Sequence, residues 1–170
     1  MKKTLLMLAL LSCGAITQAA DVTKAETPKP SLLDGLYLDG IGVMRKANIT
    51  GKGDYGAGAE LGLVLNKHVS IGVQNIGYAT PDHWRGSAID ETSGIAHWTL
   101  FTSDNKKVTF GGLGSVTYSY AQSAWALGAG VEGKYNFAKN LSAGIGAQIR
   151  FWNNEQKEDL LMSASVGYKF

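Results

Sequence analysis

The sequence predicts an all-β fold: a single eight-stranded antiparallel transmembrane β-barrel. Three observations predict it. After residue 35, apolar side chains recur at every second position rather than at helical spacing. The intervening face is largely Gly, Ala and Ser, with isolated charges, which suits a narrow lumen better than a water-facing surface. Aromatic residues collect towards the ends of the alternating segments, where amphipathic rings meet a membrane interface. A soluble sandwich would present Lys, Thr, Glu and Arg outward instead.

The chain has 170 residues with a formal net charge of +2 and a single Cys. That length suits one domain. The charge gives no basic footprint for nucleic acid, so no nucleic-acid partner is expected. One Cys excludes a disulfide framework and any multi-thiolate metal site. No apolar run reaches the roughly 20 residues that a spanning helix needs.

Residues 1–20 read as a secretory signal peptide. Lys2 and Lys3 form the basic region, Leu5 to Leu11 the apolar region, and Gln18-Ala19-Ala20 the small-residue cleavage site. Removing them leaves 150 residues with 14 basic and 14 acidic side chains and no Cys. Leu10-Leu11-Ser12-Cys13 also resembles a lipoprotein cleavage box, whose Cys would become a lipidated N-terminus. Residues 21–34, with Pro28-Lys29-Pro30 and no apolar period, are expected to be a mobile periplasmic lead-in to a barrel spanning 35–170.

The eight strands follow in order. Residues 36–46 form a weaker first segment. Residues 55–65 set Tyr55, Ala57, Ala59, Leu61, Leu63 and Leu65 against Gly56, Gly58, Glu60 and Gly62. Segments 68–79, 94–102 and 107–120 alternate less cleanly; Ile76 and Leu113 fall on the polar face, so bulges are expected there. Residues 125–137 set Trp125, Leu127, Ala129, Val131, Tyr135 and Phe137 against Ala126, Gly128, Gly130, Glu132 and Lys134. Residues 140–152 set Leu141, Ile145, Ile149 and Phe151 against Ser142, Gly144, Gly146, Gln148 and Arg150. Residues 160–170 set Leu160, Met162, Ala164, Val166, Tyr168 and Phe170 against Leu161, Ser163, Ser165, Gly167 and Lys169. Asn66-Lys67, 103–106 and 138–140 are short turns, placed on the periplasmic side with both termini, as an even strand number requires. Of the other connections only 80–93 is long. An upper aromatic belt is expected from Tyr55, Trp98, Tyr118, Tyr120, Trp125 and Phe151, and a lower one from Phe110, Tyr135, Phe137, Tyr168 and Phe170.

The ending Val166-Gly167-Tyr168-Lys169-Phe170 resembles the C-terminal signal of bacterial outer-membrane proteins, with apolar residues at alternate positions back from a final Phe. The mature chain is similar in size and strand number to the small eight-stranded class that includes the OmpA membrane domain, OmpX, OmpW and NspA. The resemblance implies a bacterial outer-membrane location, contact with outer-membrane lipids and lipopolysaccharide, and recognition of Val166, Tyr168 and Phe170 by the barrel assembly machinery.

Charges on the lumen face must pair, because isolated ions there are expensive. Glu60, Glu132, Lys134 and Arg150 are expected to form one network across the lumen, with Asp39, His97 and Lys169 nearby. The network is read either as a polar plug or as an ion-pair gate for small ions, the latter resembling the interior pairs of the OmpA domain. Some barrels of this class edit lipid A. The lipid A 3-O-deacylases carry His-x-Ser-Asn late in the penultimate strand, and the matching stretch here is Phe151-Trp152-Asn153-Asn154, without base or nucleophile. No catalytic residue, metal site or cofactor is expected, since no His, Asp or Glu set has ligand spacing. The expected function is that of a non-enzymatic integral barrel with a plugged lumen and a structural or surface-interaction role. A small channel is the second reading and a lipid A-modifying enzyme the third. Within 80–93, His83, Trp84 and Arg85 are the candidate contacts for an extracellular ligand, because aromatic and Arg side chains dominate such contacts.

Overall fold

The computed structural model describes residues 35–47, 53–79, 89–154 and 158–170. The expected signal peptide, the lead-in and Cys13 lie outside the described residues, as do His83, Trp84 and Arg85. Eight strands follow one another: β1 Leu36–Ala47, β2 Gly53–Val64, β3 Val69–Ala79, β4 Glu91–Thr102, β5 Val108–Ser119, β6 Ala124–Asn136, β7 Leu141–Trp152 and β8 Glu158–Lys169. Each pairs antiparallel with its sequence neighbours, and β8 pairs with β1 to close the barrel. Closure leaves no unpaired strand edge.

Followed through the registers from Tyr37 around the ring, the path returns to β1 at Ala47, ten residues farther along. The strands are therefore steeply tilted, in the range of about 35–45° usual for closed barrels. One consequence corrects an expectation. Trp98 pairs with Val69, the first residue of β3, so it lies towards the short-turn end and not with the upper aromatics. Tyr118 packs between Tyr120 and Trp125 near the opposite rim, with ring centroids 5.2 and 4.8 Å away.

The short-turn end is tied locally. The Asn66 side-chain oxygen accepts from the amides of His68 and Val69, and Asn105 accepts from the Lys107 amide. Such side-chain caps are why these residue types make two-strand turns.

Exposure runs opposite to that of a soluble barrel. Leu61, Val73, Val131, Ile145 and Val166 are exposed on the outer wall, while Asp39, Glu60, Glu91, Arg150 and Asp159 are buried inside. The lumen is narrow enough that glycine is sterically required on its wall. A Cβ at Gly62 would meet the Tyr37 ring, and one at Gly167 would meet the Asp39 carboxylate.

Ile76 and Leu113 mark no bulge. Both point into the lumen, with 1% and 9% exposure; the β2–β3 ladder runs unbroken past Ile76, and both ladders of β5 run unbroken past Leu113. Among the described residues the register shift lies instead in β4, between Thr99 and Phe101. The extra residue, Leu100, lets Trp98, Leu100 and Phe101 all stay exposed on the outer wall. β4 also begins three residues earlier than alternation suggests, so Glu91, Thr92 and Ser93 belong to the strand and not to the long connection.

Candidate functional site in the lumen

The lumen charges form two layers, because alternation sends every second side chain inward and tilt sets its height. The lower layer lies towards the short turns. Glu60 on β2 and Glu132 on β6, four strands apart in a ring of eight, are joined by His97 on β4. His97 Nε2 lies 2.8 Å from Glu60 Oε1 and Nδ1 lies 2.9 Å from Glu132 Oε1. The Tyr37 hydroxyl donates to the same Glu60 oxygen at 2.5 Å. Lys134 Nζ lies 3.7 Å from Glu132 Oε2 and donates to Asp39 Oδ2 at 3.4 Å. Gln74 Nε2 reaches Glu60 Oε2 at 3.5 Å.

The upper layer lies towards the long connection and is drier. Arg150 on β7 forms a two-point pair with Asp159 on β8, Nε to Oδ1 at 2.8 Å and Nη2 to Oδ2 at 2.7 Å. Its third donor, Nη1, reaches Glu91 Oε2 on β4 at 2.6 Å. Arg45 on β1 donates to the other Glu91 oxygen at 3.0 Å and to Asp54 on β2 at 2.7 Å. Tyr78 donates to Glu91 at 3.0 Å, and Trp152 Nε1 donates to Asp159 at 2.9 Å. Arg45 lies over the Tyr78 ring at 4.3 Å, and Arg150 lies 5.1 Å from the Trp152 ring centroid. Glu91, Arg150 and Asp159 have 1%, 0% and 0% exposure, while the Arg45–Asp54 end of the layer is partly exposed. A guanidinium fits it because its planar fork satisfies two carboxylates at once.

Between the layers the lumen is mostly apolar. Ile41, Val43, Ile76 and Leu161 pack beneath Tyr78, with Ile95 and Leu113 also buried. Polar side chains there are paired among themselves: Ser93 with Thr117 at 2.8 Å, and Ser115 donating to Gln148 at 2.9 Å.

The single expected network is thus divided. Glu60, Glu132 and Lys134 come together, but Arg150 does not join them. Its β6 neighbour is Gly128, four residues up the strand from Glu132. Counting depth from each strand's own turn ignores the tilt and understates that separation. Lys169 is exposed at the lower mouth and enters neither layer. Sequence reasoning missed Arg45, Glu91, Asp159, Tyr37 and Tyr78. Asp159 was legible, since it continues the inward phase of Leu161 and Ser163; Glu91 was hidden because it was assigned to the loop. The stretch that matches the lipid A deacylase motif has Phe151 exposed outward and Trp152 turned inward onto Asp159. No cluster of three or more metal-ligating side chains occurs among the described residues.

The sequence matches no protein-family model and no curated protein. By structure the chain is similar to Neisserial surface protein A, NspA, over 81% of this chain and 98% of that one, with 16% identity and a TM-score of 0.59. The fold is that of a small outer-membrane barrel. The attachment invasion locus protein Ail of Yersinia pestis also matches, over 81% of this chain and 99% of that one, at 18% identity and a TM-score of 0.42.

Proposed function

We propose that this protein is an integral barrel of the bacterial outer membrane, without enzymatic activity, whose lumen is closed and whose work is done on its outer surface. The observation that carries the reading is the pair of stacked ion-pair layers inside an apolar-walled closed barrel. Each layer crosses between opposite walls, and in the upper one Glu91, Arg150 and Asp159 are fully buried. Lipid meets the outer wall; lipopolysaccharide meets the aromatic rim of Tyr55, Tyr120 and Trp125. The short turns and the C-terminal end of β8 face the periplasm, and Val166, Tyr168 and Phe170 present the assembly signal.

The surface role falls to the connection between Ala79 and Glu91, the longest on its side, where Trp84 and Arg85 supply contacts to an extracellular ligand. The similar Neisserial protein is named as a surface protein, which agrees with that role. Deletion of residues 81–88, which spares Glu91 and its grip on both arginines, is expected to abolish cell-surface binding while the barrel still folds. Unchanged binding would remove the loop from the account.

A small gated channel is the second reading. It is favoured by the lower layer, where Lys134 and Glu132 side chains keep 23% and 17% exposure beside a cavity of about 40 Å³. Planar-bilayer recording of the refolded protein decides between the two. The closed-lumen reading expects silence from the wild type; discrete openings would make the protein a pore.

A further inference from the structure

We propose that His97 is a proton-operated strut, which holds the opposite walls β2 and β6 together only while both its ring nitrogens carry a proton. The proposal deepens the closed-lumen reading and rests on it.

The geometry fixes a proton count. Both ring nitrogens face carboxylate oxygens, at 2.8 Å on Glu60 and 2.9 Å on Glu132. A neutral imidazole has one N–H and one lone pair. It can donate to one carboxylate, but its lone pair would then face the negative oxygen of the other. The triad as built therefore holds one proton beyond those of a neutral ring and two carboxylates. That proton belongs on the ring, because imidazole is the stronger base, with reference values of about 6.5 against about 4.3 for a glutamate.

The surroundings agree. Around His97 stand three carboxylates, Asp39 on β1, Glu60 on β2 and Glu132 on β6, against one ammonium, Lys134 on β6. The other titratable neighbour is Tyr37 on β1, whose ring stands edge-on at 6.5 Å and whose hydroxyl is engaged by Glu60. From the flanking strands β3 and β5 the register partners are Ser70 and Leu113, neither of which carries charge. An imidazolium brings this layer within one charge of neutrality, and a neutral ring leaves it further off. A proton can also reach it, since Tyr37, Asp39 and Lys134 line a cavity of about 200 Å³ at the short-turn mouth. The Arg150 layer has no equivalent, because guanidinium stays charged throughout the alkaline range. Loss of the ring proton to water at that mouth would break one of the two contacts and free β6 from β2 at this level. The lower lumen would loosen while the upper layer stayed shut.

The test is nitrogen NMR of the ring in the refolded full mature chain, in detergent micelles, with His97 as the sole imidazole (His68→Gln with His83→Gln). At pH 7 the expected signature is an imidazolium, both nitrogens protonated. One protonated and one bare nitrogen would overturn the proposal without any further variant. As pH rises, deprotonation is expected to shift the amides of Asp39, Glu60 and Glu132 and leave those of Arg150 and Asp159 in place. Deprotonation that moves none of the first three would reduce His97 to a passive filler and defeat the strut. Glu132→Gln is expected to lower the ring's proton affinity tenfold or more, and an unchanged titration would also defeat it. Bilayer conductance at neutral pH reports separately on the closed lumen. A conducting wild type would fail that reading and leave the ring result to stand on its own.

Discussion

Arg150 ties three strands across the lumen: it donates three hydrogen bonds to the carboxylates of Asp159 on β8 and Glu91 on β4, and its guanidinium lies against the ring of Trp152 on β7. With both partner carboxylates buried, removing the guanidinium leaves Asp159 without a cation and Glu91 with Arg45 alone. Arg150→Met is therefore expected to destabilise the folded barrel by about 3–5 kcal/mol, measured by urea unfolding in micelles. Lys134→Met removes a longer, partly exposed pair and should cost about 1 kcal/mol or less by the same measurement. Equal losses for the two would mean that the upper layer is not the drier one. Glycines divide the same way. A Cβ at Gly167 runs into Asp39, whereas one at Gly40, on the outer face, finds only the Val166 carbonyl oxygen at 3.8 Å. Gly167→Ala should cost about 1–3 kcal/mol and Gly40→Ala almost nothing.

At the scale of the strand, β4 is the irregular element. Its extra residue at Leu100 restores the alternation on either side, so that Phe101 pairs with Phe110 on the outer wall. Deleting Leu100 removes the bulge while keeping every other side chain on its own face. That variant is expected to refold with a circular-dichroism spectrum and yield close to wild type. Deleting Ile95, where the ladder is continuous, would send the residues beyond it to the wrong face and is expected to abolish refolding. If both deletions refold equally well, facing does not control assembly of this strand. Alternation could not reveal the bulge, since Trp98, Leu100 and Phe101 are all apolar and any register through them looks acceptable.

For the whole molecule, the two layers act in series along one lumen. On the closed-lumen reading, Arg150→Ala is expected to open only the upper layer, and Glu132→Ala only the lower. Each single variant is expected to remain silent in planar bilayers, and the double variant to show discrete openings. A conducting Arg150→Ala barrel would show that the lower layer does not close the path. The pH dependence follows the same division: alkali acts on the His97 layer, through loss of its ring proton, and leaves the Arg150 layer unchanged.

The barrel itself was legible in the sequence because closure, facing and strand number follow from a period of two repeated eight times, a local property. The candidate site was only partly legible. Glu60, Glu132 and Lys134 could be placed on the lumen wall by phase alone, and they meet. That Arg150 leaves them for Asp159 and Glu91, that His97 stands between Glu60 and Glu132, and that Ile76 and Leu113 fill the space between the layers were decided by tertiary structure. Those facts depend on strand tilt. The ten-residue stagger around the ring sets which inward side chains share a height, and no segment carries that information on its own.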